Sequence, residues 1–287
     1  MLAATGVEDI LVAYALTGPA QLHLHEMMER FPDTLLSVLV DHPDHLHGWS
    51  KISDVPIRMF IDIDVGLGRT GISPVLAADL YDRILDAGFE FCGLQIYDGN
   101  VVTGSPAERS AQIVRDFEPV EKLIGQIRNK HETDFEVVCG GSITFPVHAE
   151  FGERTLSPGT TLLWDHGYSS KFPDLPFVIA AVLLARVISK PGKGRVCVDL
   201  GHKAVASEMS DLRVFFPRLP DATRVIHSEE HLVLEVGDAE DVEIGEVLYG
   251  FPWHVCPTVA LHEQAAVVED HQVTGFWDIV ARKRIYR

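Results

Sequence analysis

Four short segments carry residue types that could do chemistry. Cys139-Gly140-Gly141-Ser142 closes an apolar run with successive backbone amides and a hydroxyl. Glycine lets such amides approach an anion closely, so a phosphate cradle is one reading. A tight turn that needs glycine only for its dihedral angles is the other. A second apolar run ends in Asp62-Ile63-Asp64-Val65-Gly66-Leu67-Gly68-Arg69-Thr70-Gly71. Arg69 could grip an anion or a planar ring with its fork of donors, held by Asp64, or both charges could be solvated in a loop. Tyr97-Asp98-Gly99-Asn100 ends a third run. A tyrosine there can stack on a planar ligand, or sit at a rim with its hydroxyl in water. His254-Val255-Cys256 places imidazole and thiol two residues apart, on one face of an extended segment. That pair suits zinc, and the alternative is a buried cysteine beside a surface histidine. His42, His45 and His47 read as a polar loop, and His23 and His25 as surface residues of a helix.

The elements that position these segments alternate. Ile10–Leu16, Leu35–Val40, Ile57–Asp64, Phe91–Tyr97, Phe135–Cys139 and Thr161–Trp164 are nearly continuous apolar runs, as expected of parallel strands covered on both faces. Two helices are well marked. Ser73-Pro74 starts one that carries Leu76, Leu80 and Ile84 and stops at Gly88. Ser105-Pro106 starts another that carries Ile113, Phe117, Val120, Ile124 and Ile127. The six strand units fall short of the eight of a closed barrel, and Met1–Gly6 resembles the last turn of a helix ending at glycine. The expected fold is α/β: an incomplete (β/α)8 TIM-type barrel over residues 1–172. A six-stranded open sheet competes with it, but the polar residues cluster just after the strands, where both folds bind ligands. From residue 173 to 287 the runs shorten (Val196–Leu200, Val214–Phe216, His231–Val236, Glu246–Leu248) and turns intervene, which predicts a small antiparallel β-domain.

Bulk properties narrow the function classes. The 287 residues carry a formal charge of -18, a field that repels nucleic acid and anionic lipid. The most apolar stretch, Leu175–Ser189, is too short for a membrane span and contains Pro176 and Arg186. Four widely spaced cysteines and a start without a basic n-region point to a reduced, cytoplasmic protein.

Taken together, the segments resemble the D-threonine aldolase and D-serine dehydratase group, whose barrel is of the alanine-racemase type. The matching segments run in family order. They are Ile61–Gly66 with Arg69-Thr70-Gly71, Gly93-Leu94-Gln95-Ile96-Tyr97-Asp98-Gly99, and Gly140-Gly141-Ser142. Ser157-Pro158-Gly159-Thr160 with Asp165, Asp199-Leu200-Gly201-His202-Lys203-Ala204, and Gly237-Asp238 followed by His254–Val259 complete the set. The resemblance implies a lyase acting on D-3-hydroxy amino acids with pyridoxal phosphate and zinc or manganese, and a homodimer. It assigns Gly140, Gly141 and Ser142 to the phosphate, Arg69 and Tyr97 to the cofactor and its chemistry, and His254 and Cys256 to the metal near the substrate hydroxyl. Aldolase chemistry, giving glycine and an aldehyde, is favoured over dehydratase chemistry, giving ammonia and a 2-oxo acid. Two departures stand out. The family's Schiff-base lysine lies in a basic motif at the end of the first barrel strand, and none of Lys51, Lys122, Lys130, Lys171, Lys190, Lys193, Lys203 and Lys283 has that context. This predicts an N-terminally shortened barrel, and makes a catalytically inactive cofactor-binding chain an alternative. The second is Asn100, where family members carry histidine.

Overall fold

The computed structural model describes residues 1–53, 56–131, 134–209, 213–237 and 241–283. The chain forms two compact units, Met1–Gly159 and Thr160–Arg287. The composition change places the boundary later, at 172/173.

The first unit is built from β1 (Asp9–Ala15), α1 (Pro19–Arg30), β2 (Leu35–Val40), α2 (Pro43–Trp49), β3 (Arg58–Ile63) and α3 (Pro74–Asp86), followed by β4 (Glu90–Ile96), α4 (Pro106–His131), β5 (Glu136–Cys139), α5 (Phe145–His148) and β6 (Thr155–Leu156). The six strands are parallel and lie in chain order, each paired with the next. Among the described residues β1 and β6 do not pair with each other, so the sheet is an incomplete TIM-type barrel. The inner strands β2 to β5 are largely apolar because both faces are covered, whereas no residue of the outer strands β1 and β6 is fully buried. Val38, Val40, Met59, Ile61, Ile63, Leu94 and Ile96 pack on one face against the stripe Leu80, Ile84, Ile113, Phe117 and Ile124 of α3 and α4. Leu39, Phe60 and Val138 form a separate cluster on the other face. Each such side chain stabilises by roughly 1.5–3 kcal/mol when fully buried.

Two expectations are corrected here. The sixth strand is Thr155–Leu156, not Thr161–Trp164. Residues Thr160–Leu162 turn into a 3-10 helix, and Trp164, with φ of 52°, is buried against Tyr168 and Phe177. Of that run only Trp164 is buried, packing within the second unit rather than pairing in the sheet, and Leu162 is exposed. The histidine-rich segment is helix α2, not loop: His42 caps it by accepting the Asp44 N–H, and Leu46 and Trp49 are buried.

In the second unit, α6 (His166–Lys171) precedes β7 (Leu183–Gly192), β8 (Arg195–Val198), β9 (Val214–Phe215), β10 (Thr223–His227), β11 (Leu232–Glu235) and β12 (Val247–Pro252). These form one six-stranded sheet in the order β10-β11-β8-β7-β12-β9, with every pairing antiparallel. Ala185, Val187, Val196, Val198, Leu232, Leu234 and Leu248 make its core. Helix α7 (Val255–Val259) follows, and β13 (Gln264–Glu269) and β14 (Gln272–Asp278) close the chain as a separate hairpin. The predicted antiparallel β-domain is therefore present. No described helix is long and apolar enough to cross a membrane.

Candidate functional site

In the first unit three strand ends converge. After β3, the chain folds back so that Ile72 N–H donates to the Asp62 carbonyl and Asp64 N–H to the Ile72 carbonyl. Asp64 was expected to steady Arg69. Instead its Oδ1 accepts the amides of Gly66 and Gly68, at 3.0 and 3.1 Å, and so shapes the loop itself. Asp62 accepts the Thr70 hydroxyl at 2.8 Å, and burial pushes its carboxyl up. This loop delivers Arg69, whose guanidinium carbon lies 4.8 Å from the centre of the Tyr97 ring at the end of β4. The ring is 37% exposed.

The end of β5 meets the same ring. Gly140 has φ of 86°, a conformation that disfavours a side chain. A Cβ on Gly141 would lie 3.1 Å from the Tyr97 ring, which would then have to give by a few tenths of an ångström, so glycine suits the close approach. The structure thus brings Arg69, Tyr97 and Gly141 together, with Ser142 buried at the next position.

Behind them lies a buried network that the sequence reading missed. Asp98 Oδ1 accepts the Gly141 N–H at 3.2 Å and the Thr144 hydroxyl at 2.7 Å, and the Gly141 N–H is shared with Thr144 Oγ1 at 2.8 Å. Asp98 Oδ2 is 2.8 Å from His148 Nε2, and Arg154 Nη1 is 2.6 Å from His148 Nδ1. A guanidinium can only donate, so Nδ1 is the acceptor, Nε2 carries the proton, and His148 is neutral. Arg154 also binds Glu121. Burial opposes ionisation of Asp98, but hydrogen bonds from His148, Thr144 and Gly141 outweigh it and hold the carboxyl below its usual range. Thr144 and His148 share one helical face after the glycine turn. That i, i+4 spacing was the available signal.

Asn100 turns away from chemistry of its own. Its Nδ2 donates to Asp116 Oδ2 at 3.1 Å and to the Val65 carbonyl at 3.4 Å, bracing the Arg69 loop.

The eight lysines are all exposed. Lys122, Lys130 and Lys203 pair with Glu118, Asp82 and Glu230 on the surface, and none of the first unit's three lysines directly follows β3, β4 or β5 in the chain.

The second unit holds His254 and Cys256. The expected extended segment is only half present: His254 is extended, with φ of -134°, but Cys256 lies in the first turn of α7. Asp165 causes this. Its Oδ1 caps α6 through the Tyr168 N–H, at 2.8 Å, and its Oδ2 accepts the Val255 N–H at 3.0 Å, starting α7. The two side chains still meet. His254 is pushed up to about 9, first by its hydrogen bond to Cys256 and then, against partial burial, by Glu208, whose Oε1 lies 2.5 Å from Nδ1. The Cys256 thiol is lowered mainly by His254. Imidazole and thiolate are suitable zinc donors. Among the described residues, however, no group of three or more His, Cys, Asp or Glu side chains converges on one point, so the pair offers two ligands and not a closed cage. Asp238 of the Gly237-Asp238 motif lies outside the described residues.

The comparisons with known proteins agree with this fold. Residues 12–165 match the family model "Alanine racemase, N-terminal domain", and residues 180–268 match "Putative serine dehydratase domain". D-threonine aldolase of Arthrobacter sp is 31% identical over 293 residues, covering 97% of this chain and 75% of that protein. The crystal structure of D-threonine aldolase from Filomicrobium marinum superposes with a TM-score of 0.89 at 25% identity, covering 98% of this chain and 78% of that one. D-threo-3-hydroxyaspartate dehydratase from Delftia sp. HT23 shares the fold, with a TM-score of 0.82 at 18% identity over 96% of this chain and 79% of that one. On this fold, these strand ends and these matches, the chain belongs to the alanine-racemase-type (fold type III) family of pyridoxal-phosphate enzymes that includes the D-threonine aldolases and D-serine dehydratases.

Proposed function

We propose that this chain carries the cofactor-binding and metal-binding parts of a lyase for D-3-hydroxy amino acids, of the D-threonine aldolase type. The observation that carries the reading is the convergence of Arg69, Tyr97 and Gly141 at the ends of β3, β4 and β5. The cofactor fits this place: an exposed aromatic face with a cation beside it suits a planar pyridine ring that bears an anionic phenolate oxygen, and the Gly140–Ser142 turn suits a phosphate. Pyridoxal phosphate, when bound, supplies the electron sink that lets the Cα–Cβ bond break. Arg69 would orient the ring and balance the charge of its phenolate oxygen through the guanidinium. The Tyr97 phenol oxygen would hold a proton at the edge of the site, and the Ser142 hydroxyl would donate to the phosphate. His254 Nε2 and Cys256 Sγ would hold zinc or manganese, which polarises a hydroxyl as a Lewis acid. A homodimer and a cytoplasmic setting belong to the same reading.

The 31% identity to a D-threonine aldolase favours the aldolase over the dehydratase. Incubation with pyridoxal phosphate, a divalent metal and either D-threonine or D-serine separates them. Glycine with acetaldehyde supports the aldolase, and ammonia with a 2-oxo acid the dehydratase. A second reading, a cofactor-binding chain without turnover, rests on the exposure of all eight lysines, since the reaction needs an amine fixed within bonding reach of the cofactor aldehyde. Cofactor binding with neither product set supports it.

A further inference from the structure

The Gly140–Ser142 turn is gripped from behind by side chains that are almost entirely buried. We propose that Asp98, His148 and Arg154 are positioning residues: they turn the Gly141 amide inward and thereby fix the face of the turn that meets the cofactor's phosphate. The inference rests on the reading of that turn given above. Asp98 leaves the end of β4 and binds the start of the segment after β5, through Gly141 N–H and the Thr144 hydroxyl. It therefore ties the strand that carries Tyr97 to the strand that carries the cradle. A buried carboxylate beside a phosphate site repels the phosphate unless its charge is balanced. Arg154, which it shares with the half-exposed Glu121, supplies the positive charge behind it. Its guanidinium, almost fully buried, lies 4.7 Å from the Phe117 ring centre and 4.0 Å from that of Phe151, and neutral His148 links it to Asp98. The order carboxylate, imidazole, guanidinium admits one arrangement of protons, so the chain holds a single geometry.

Asp98→Asn tests this with little change in shape. An asparagine oxygen can still accept from Gly141 and Thr144, but its NH2 then faces the His148 Nε2–H, donor against donor. The measurement is calorimetric titration with pyridoxamine 5′-phosphate and with pyridoxamine, neither of which can form an aldimine with lysine. The ratio of the two affinities isolates the phosphate contribution, which a general loss of packing would leave in place. The wild-type protein should prefer the phosphorylated compound, and Ser142→Ala should weaken that preference. Asp98→Asn should cut the preference tenfold or more. His148→Gln, which keeps an N–H at the ε position, should retain most of it, and His148→Asn should not. A preference that falls in Ser142→Ala and stays at the wild-type value in Asp98→Asn overturns the inference and leaves the cofactor reading intact. A wild-type protein that does not distinguish the two compounds overturns the cradle itself, and this inference with it. Should Asp98→Asn fail to fold, Thr144→Val, which removes one hydroxyl and no charge, carries the test. It should lower the preference several-fold, and an unchanged preference overturns the inference.

Discussion

The strand-end cluster of the first unit and the His254–Cys256 pair of the second are both built from polar groups in contact, yet they are held in different ways. Asp98 is 1% exposed and His148 is fully buried, and each is bound on more than one side by other protein groups. His254 and its partner Glu208 are 43% and 45% exposed, and Cys256 is also exposed. Asp165 pins the backbone beneath the pair, while the side-chain partners, Glu208 among them, are themselves exposed. The cluster is thus shaped by the fold before any ligand arrives, and its hydrogen bonds are coupled to stability. The pair is open to water, and its geometry can be completed by what it binds. Substitution in the cluster should threaten folding first, whereas substitution in the pair should threaten binding alone.

The largest effect expected is that of Asp98→Ala. It strands the His148 N–H and takes a charged acceptor away from the Gly141 amide and the Thr144 hydroxyl, which should cost about 3–5 kcal/mol in urea unfolding. A loss below about 1 kcal/mol would put the cluster in the same class as the pair.

Acid should remove the same contribution gradually. The Asp98 carboxyl is depressed in the folded state, so its stabilisation is complete above the unfolded value of about 3.9 and is lost as pH falls through the lower, folded value. The gap in urea midpoint between wild type and Asp98→Asn should stay level from neutrality to about pH 5 and narrow below about pH 4. A gap that widens in acid would reverse the assignment of charge.

Cysteine chemistry gives a contrast without mutation. Burial pushes the Cys139 thiol, at the end of β5, up to about 12. It should resist iodoacetamide at pH 8 until the protein is unfolded, whereas exposed Cys256 should label in the native state. Equal labelling of both in the native protein would show that the strand end is open.

The smallest stability change is expected for Cys256→Ala: within about 0.5 kcal/mol, as for exposed positions in general. Its zinc or manganese content, read by mass spectrometry, should nevertheless fall below that of the wild type. Equal metal content in the two proteins would make the pair structural.

The sequence was most informative where burial is two-sided. Leu35–Val40 is read to the residue, and the strands ending at Ile63 and Ile96 within one or two, because a parallel strand is apolar from end to end. It was least informative where a strand is short or exposed. Thr155–Leu156 has two residues and cannot show a period, while Thr223–His227 and the hairpin Gln264–Asp278 are mostly exposed. The site divides in the same way. Arg69, Tyr97 and Gly141 were legible because each follows its own strand. The contact between Asp98 and His148 spans 50 residues, and no local spacing announces it. Cys256 was misplaced onto an extended segment because the side chain that starts α7, Asp165, lies 90 residues before Val255.

The central claim is that the strand ends of this chain receive pyridoxal phosphate while none of its eight lysines serves them. Borohydride reduction of the 287-residue protein with added pyridoxal phosphate, followed by peptide mass mapping, tests it most directly. The account predicts phosphate-dependent binding that Arg69→Ala weakens, with only scattered, substoichiometric adducts on the exposed lysines. One stoichiometric adduct on a single lysine, together with turnover of a D-3-hydroxy amino acid, would contradict it.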